Sequence, residues 1–251
     1  MNNARPTRAS VAGRAYLDLQ NLARQQGRPT DEFHQLYGLE GFLVRLSASP
    51  YADRLVLKGG VLLAVFGTRR PTRDIDLHGH QLPGEVEDVL HLVRAVASLP
   101  AADGLVFDTA AAVAEAIRHE DPYSGVRVTL NAQLATARLC FHVDVSIGDP
   151  VHPPPQLIRL PRLLHEPIEL LGYPLPMVLA EKIATAVQRG RANTRWRDYA
   201  DLYLLSGRHP VDGEQLHAAL AMVAAHRQIT LLPLSIILPG YAQLAQARWA
   251  T

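Results

Sequence analysis

The chain has almost no cysteine, little lysine and no long apolar run. Cys140 is the single cysteine in 251 residues; this excludes an internal disulfide and a cysteine-built zinc cage, and it fits a reducing compartment. The longest apolar stretch, Ile229 to Leu238, contains Pro233 and falls well short of the about 20 residues that a membrane helix needs. The opening residues, MNNARPTRAS, carry no apolar signal core, so the expected location is cytoplasmic. Neither sign of charge dominates: 25 Lys and Arg stand against 24 Asp and Glu, for a net charge of +1. A chain so balanced has no global attraction to nucleic acid, and any RNA contact must come from a local patch.

The shortage of lysine is informative. Among the 25 basic residues only Lys58 and Lys182 are lysines, and the other 23 are arginines. An excess of this kind is expected from genomic base composition. Against it, a retained lysine marks a position where a compact ammonium is not replaceable by a planar guanidinium. The remaining composition, 48% hydrophobic and 20% charged, is that of an ordinary globular chain able to bury one core or two tightly joined ones.

The chain is organised around Leu55 to Leu77, LVLKGGVLLAVFGTRRPTRDIDL. The apolar run Leu55-Val56-Leu57 predicts a strand. Lys58-Gly59-Gly60 predicts a turn into a short helix, Val61 to Phe66, which stops at Gly67. A basic, proline-broken loop then leads to a second strand with Asp74-Ile75-Asp76. Glycines entering a helix allow backbone N–H groups to approach a phosphate. Asp74 and Asp76, two apart on a strand, project from one face and repel each other unless a cation sits between them. A phosphate cradle beside a divalent-metal seat is the chemistry of metal-assisted phosphoryl or nucleotidyl transfer.

The flanking segments predict mostly helices. Val11 to Gln26 has helical spacing and ends at Gly27, after a loose start over residues 1–10. Thr30 caps a second helix, Asp31 to Leu36, and Gly38 to Ser47 reads as a third. Leu82-Pro83-Gly84 breaks the chain before a helix over Val86 to Ser98, and the alanine-rich Thr109 to Arg118 predicts another helix. A hairpin follows, with strands Val126 to Leu130 and Arg138 to Ile147. In the second, Leu139, Phe141, Val143, Val145 and Ile147 share one face, and Cys140, His142, Asp144 and Ser146 the other. His78, His80 and His142 lack the spacing of a zinc site. The run His152 to Pro155 is a stiff connector at the sheet edge, and Pro161 to Pro176 is irregular with one short strand. Met177 to Arg189 is a strong helix with an apolar stripe of Leu179, Ile183, Ala186 and Val187, and Gly190 follows it. Asp198 and Asp201 share a face at the start of the next helix. Helices over Val211 to Arg227 and Pro239 to Trp249 complete the chain.

Three segments together carry a resemblance: Lys58-Gly59-Gly60, then thirteen residues, then Asp74-Ile75-Asp76-Leu77; Glu181-Lys182 in a helix; and Arg197-Asp198-Tyr199-Ala200-Asp201-Leu202 after a basic linker. This pattern, from about Gly38 to about Gly207, resembles the AbiEii/AbiGii family of nucleotidyltransferase-like proteins, which includes the MenT-type toxins of type IV toxin–antitoxin pairs. The resemblance implies an α/β, polymerase-β-like nucleotidyltransferase fold: a mixed sheet with flanking helices over residues 1–170 and a helical C-terminal subdomain over 171–251. It implies Mg²⁺, or Mn²⁺, held by Asp74 and Asp76 on the triphosphate. It also implies a second ion, shared with Asp144, that would lower the pKa of the acceptor hydroxyl, with Asp149 as the alternative to Asp144. Lys58, Gly59, Gly60, Thr72 and Arg73 would meet a nucleoside triphosphate, Lys182 its phosphates, and Asp198 or Asp201 would orient Lys182 or a nearby arginine. The expected product is a nucleoside monophosphate joined to an RNA hydroxyl, the tRNA 3′ end, in a growth-inhibiting toxin with a cognate antitoxin protein. Transfer to a small molecule or a protein hydroxyl, or a nucleotide-binding module without chemistry, remain alternatives. For RNA, the densest basic patch is Arg189, Arg191, Arg195 and Arg197, with Trp196 as a stacking platform and Arg69, Arg70 and Arg73 as an extension.

Overall fold

The computed structural model describes residues 5–82, 84–118 and 124–249; the first four residues of the loose start and Pro83 of the expected chain break lie outside them. The chain forms two compact units, Met1–Gly148 with Leu157–Gly172, and Asp149–Gln156 with Tyr173–Thr251. Among the described residues no helix is long and apolar enough to cross a membrane.

The first unit begins with α1 (Val11–Gln26), capped by the Ser10 hydroxyl, which accepts from the Gly13 N–H at 3.0 Å, and closed at Gly27. Its buried Ala15, Leu19 and Ala23 recur every four residues and make one stripe. α2 (Thr30–Ser47) is a single helix where the sequence predicts two. Gly38 does not break it. A Cβ there would stand 2.9 Å from the Leu139 side chain, and one at Gly41 would stand 2.2 Å from that of Leu105. Both glycines therefore serve close helix–sheet packing, and packing overrides their poor helix propensity.

Then follow β1 (Leu55–Lys58), α3 (Gly59–Leu62) continuing as a 3₁₀ turn over Leu63–Phe66, β2 (Asp74–Gly79), α4 (Val86–Ala97), β3 (Leu105–Arg118), β4 (Ser124–Leu134), β5 (Ala137–Ile147), β6 (Gln156–Leu160) and β7 (Ile168–Gly172). These strands form one mixed sheet in the order β3-β4-β5-β2-β1-β7-β6. β2 lies parallel to β5 and antiparallel to β1, and β1 lies parallel to β7. The mixed α/β sheet with flanking helices is the expected class. Alternation sorts its two faces. Leu55, Leu57, Ile75, Leu77, Val126, Val128, Leu130, Phe141, Val143 and Val145 are all buried.

Two elements depart from expectation. Thr109 to Arg118 is strand, not helix. Its alanines favour a helix locally, but β3 pairs with β4 from Val113↔Thr129 to Arg118↔Ser124, after a register shift between Asp108 and Val113. As the outermost strand it leaves Val106 and Val113 69% and 62% exposed. β6 is the second departure: it adds a short edge strand directly after the expected connector.

The second unit is helical. α5 (Leu175–Arg189) has Pro176 in its first turn and Gly190 after its end, as the sequence predicts. Its buried side runs through Ala180 and Ala184 rather than Ile183 and Val187, which are half-buried. The small residues let α5 lie close to the later helix α7. α6 (Trp196–Arg208) comes next, then α7 (Gly213–His226), whose Asp212 cap accepts from the Glu214 and Gln215 N–H groups at 2.9 and 3.0 Å. α8 (Leu234–Ile237) and α9 (Tyr241–Trp249) end the unit.

One buried ion pair ties the helices of the first unit to β3. Arg45 of α2 meets Asp103 at 2.5 and 3.2 Å, and donates to the carbonyls of Leu99 and Gly41 at 2.8 Å each. Both side chains are almost fully buried. Removing the acid would strand a guanidinium that cannot lose its charge. Asp103→Ala is therefore expected to lower unfolding free energy by about 3–5 kcal/mol, read as a fall in the urea midpoint. The double variant Arg45→Met/Asp103→Leu should recover most of that loss.

Candidate active site

Register across the sheet builds a row of charged side chains on the face away from the core. Lys58 of β1 stands opposite Asp76 of β2, Asp76 opposite Asp144 of β5, Asp144 opposite Arg127 of β4, and Arg127 opposite Glu115 of β3. One step along, Asp74 stands opposite His142, and His142 opposite Thr129, with Thr129 Oγ1 3.1 Å from His142 Nδ1. The structure thus brings Lys58, Asp74, Asp76 and Asp144 to one surface.

The turn after β1 is fitted to Asp76. Gly59 has φ +66°, and a Cβ there would stand 1.9 Å from Asp76 Oδ2. Glycine is required twice at this position, by backbone conformation and by the carboxylate. The Gly60 N–H points at the same oxygen, 3.4 Å away. Thr72 lies against Gly60, where a Cβ would come within 3.0 Å of its hydroxyl, and that hydroxyl donates to the Asp74 carbonyl at 3.3 Å. The loop carrying Thr72 is anchored from behind. Buried Glu40 of α2 holds Arg69 at 2.5 Å and accepts from the Leu163 N–H at 3.0 Å, while Arg69 also donates to the Pro161 carbonyl. Arg69 is committed to this anchor. Arg73 is exposed, and its carbonyl accepts from the His142 N–H at 3.2 Å.

Electrostatics single out the β2 acids. Burial pushes the Asp76 carboxyl above the ordinary carboxylate range; Lys58 opposes the rise, and Asp144 and Asp74 add to it. Asp74 is raised by burial and then by Asp144, against Arg127, His142 and Arg73. Asp144 is held differently. Arg127 donates to both of its oxygens, at 2.8 Å from Nε and 2.7 Å from Nη2, and this pairing holds the guanidinium more firmly protonated still.

A divalent cation fits the two β2 acids. An ion between them offsets the repulsion and desolvation that raise both. Magnesium in phosphate-handling sites takes one or two carboxylates and completes its shell with water and substrate oxygens. Among the described residues no group of three or more His, Cys, Asp or Glu side chains is arranged to hold a metal ion, and both oxygens of Asp144 already serve Arg127.

The second unit contains the other singled-out residues. Lys182 Nζ sits between Asp198 Oδ1 at 2.6 Å and Asp201 Oδ2 at 2.8 Å. The Lys182 side chain is 11% exposed and both acids are buried. Arg195 reaches the second oxygen of Asp198 at 3.5 Å. Arg191, Arg195 and Arg197 are exposed, and the Arg197 guanidinium lies 5.3 Å from the ring centre of half-buried Trp196. Asp149 belongs to this unit, 3.7 Å from His226 Nε2.

The family described as "Nucleotidyl transferase AbiEii toxin, Type IV TA system" matches residues 41–250, which spans both units. The chain belongs to this family. A search of curated proteins found no match. Among solved structures, JHP933 from Helicobacter pylori is 14% identical, with 84% of this chain and 90% of that one covered at a TM-score of 0.46. The antibiotic-resistance factor ANT(2'')-Ia is 14% identical over 88% of this chain and all of that one, with a TM-score of 0.43. An antigenic nucleotidyltransferase-like protein from Paracoccidioides brasiliensis is 14% identical over 78% and 89%, with a TM-score of 0.42. Likenesses this remote add nothing to the family assignment.

As an AbiEii nucleotidyltransferase, the chain has two residues that the sequence does not single out, Arg127 within its charged row and Glu40 behind the loop that carries Thr72. Arg127 was legible only as one polar position in an alternating strand; pairing it with Asp144 needs the β4–β5 register. Glu40 lies in a helix among apolar residues, and its isolation was the one available signal. The glycine turn yields a direct test. Gly59→Ala drives a methyl into the Asp76 carboxylate and should lower nucleotidyl transfer by about 100-fold or more, the scale of a 1 Å misplacement in a catalytic site. Gly67→Ala has the same backbone strain, φ +68°, but open space around its Cβ. It should cost about 1–2 kcal/mol of stability and leave transfer intact. Transfer rates and thermal melting of the two variants distinguish these outcomes.

Proposed function

We propose that this AbiEii-family nucleotidyltransferase moves a nucleoside monophosphate from a nucleoside triphosphate to an RNA hydroxyl, with the tRNA 3′ end as acceptor, and that a cognate antitoxin protein counters it. The observation that carries the reading is the placement of Asp76 against the Gly59-Gly60 turn with Asp74 on the same strand face.

In the reaction the acceptor hydroxyl gives its proton to solvent as its oxygen bonds to the α-phosphorus, the bond from that phosphorus to the oxygen bridging the β-phosphate breaks, and pyrophosphate leaves. Asp74 and Asp76 would hold a Mg²⁺ or Mn²⁺ ion, which when bound supplies Lewis-acid stabilisation of charge on the phosphate oxygens. The bare backbone at Gly59 and Gly60 admits the triphosphate close to β1, and Lys58 and Arg73 bring positive charge to the same edge. Thr72, hydrogen-bonded to the Asp74 backbone, fixes where β2 begins. Lys182 contributes a point charge for the leaving phosphates, and Asp198 and Asp201 orient it. The RNA part of the reading is supported by exposed Arg191, Arg195 and Arg197 around Trp196, a basic cluster beside an aromatic face.

Two measurements test this. The slot between Asp198 and Asp201 closes on one nitrogen, so the planar guanidinium of Lys182→Arg should not fit it. Transfer should fall about 10²–10³-fold, the scale of one lost electrostatic contact in the transition state, and unchanged transfer removes Lys182 from the reaction. For the acceptor, each labelled triphosphate is incubated with total RNA, with and without divalent cation. Label should enter RNA and be released by ribonuclease, and Arg191→Gln/Arg195→Gln should weaken RNA binding and flatten its salt dependence. Label that survives ribonuclease in protein, or that appears on a small molecule, replaces RNA as the acceptor.

A further inference from the structure

Resting on that reading of the site, we propose that Arg127 stands in for a second metal ion. It neutralises Asp144, and the free protein therefore takes one divalent cation, on Asp74 and Asp76, and not two.

The pairing is imposed by the backbone. β4 and β5 form an unbroken antiparallel ladder from Gly125↔Ser146 to Leu134↔Ala137, and Arg127↔Asp144 is one rung of it. Asp144 is at the same time the register neighbour of Asp76. The guanidinium meets both carboxylate oxygens in a planar, two-pronged bond. It also keeps its charge at every working pH, unlike a lysine or histidine. A dication approaching Asp144 therefore meets a carboxylate already neutralised and a fixed positive charge beside it.

The charge pattern of the row agrees. Lys58 and Arg127 bracket Asp76 and Asp144, whereas Asp74 has His142 as its register partner on β5. Four acids, Asp74, Asp76, Asp144 and Glu115, thus face two cations, Lys58 and Arg127; Arg127 stands between Asp144 and Glu115, and Asp74 and Asp76 lie together on β2. The Arg127 side chain is 34% exposed and that of Asp144 16%. Arg127 is on this account a positioning residue: it fixes the metal count without touching substrate.

The test counts ions. Mn²⁺ is titrated into the full-length chain without nucleotide, and free Mn²⁺ is read by its electron paramagnetic resonance signal. The wild type should bind one ion. Arg127→Gln should bind a second, or bind Mn²⁺ at least about tenfold tighter, the scale on which a neighbouring unit charge alters a carboxylate's affinity for a proton. Arg127→Lys retains the charge and should still bind one. Arg127→Gln/Asp144→Asn should return to one ion at wild-type affinity. Two ions on the wild type, or an Arg127→Gln variant unchanged in count and affinity, overturn the inference while leaving nucleotidyl transfer intact. If Arg127→Gln does not fold, the wild-type count decides. No ion on any variant, together with no label transferred to any acceptor, withdraws the parent reading as well.

Discussion

The parallel pairing of β2 with β5 is the constraint on which the rest of this protein depends. It sets Asp76 beside Asp144 and, by the same register, sets Ile75 beside Val143 and Leu77 beside Val145 in the core. Side chains alternate with period two, so a slip of one residue would bury the acids and expose the core on the same strand. Site and core are two faces of one ladder, and neither can be altered without the other. The antiparallel contacts of β1 and β4 extend that ladder outwards and bring in Lys58 and Arg127.

Cations are used differently in the two units. In the first, Arg127 and Asp144 of the charged row meet across strands, where a flat guanidinium lies along a carboxylate. In the second, a single nitrogen is gripped by two helical carboxylates three residues apart, Asp198 and Asp201. A compact ammonium places one nitrogen within reach of both carboxylates. That grip suits the lysine at 182, one of only two in an arginine-rich chain.

The sequence was most readable where one local pattern agrees with the tertiary structure. The Ser10 cap and Gly27 stop of α1, the Pro176 and Gly190 limits of α5, and the alternation of β5 all have local causes and local signatures. It was least readable where a long-range contact decides. Thr109 to Arg118 is alanine-rich and helix-prone alone, yet becomes strand because β4 offers it a ladder. Gly38 looks like a break and is a packing requirement set by Leu139, a hundred residues away. At the candidate site the acids were visible through their Asp-Ile-Asp spacing, while Arg127 and Glu40 were not. Each of these has meaning only through its partner, Asp144 on the next strand or Arg69 on a distant loop.

The register shift in β3 has a consequence beyond its own ladder. β3 is an outermost strand of fourteen residues with apolar side chains on its exposed side. An uninterrupted edge of that length would be a template on which the edge of another chain could zip. Between Asp108 and Val113 the shift divides it into two lengths whose free backbone groups fall out of step. A strand that aligned with one length would lose alignment with the other. The irregularity that spoils the internal pairing therefore guards the sheet against growing sideways.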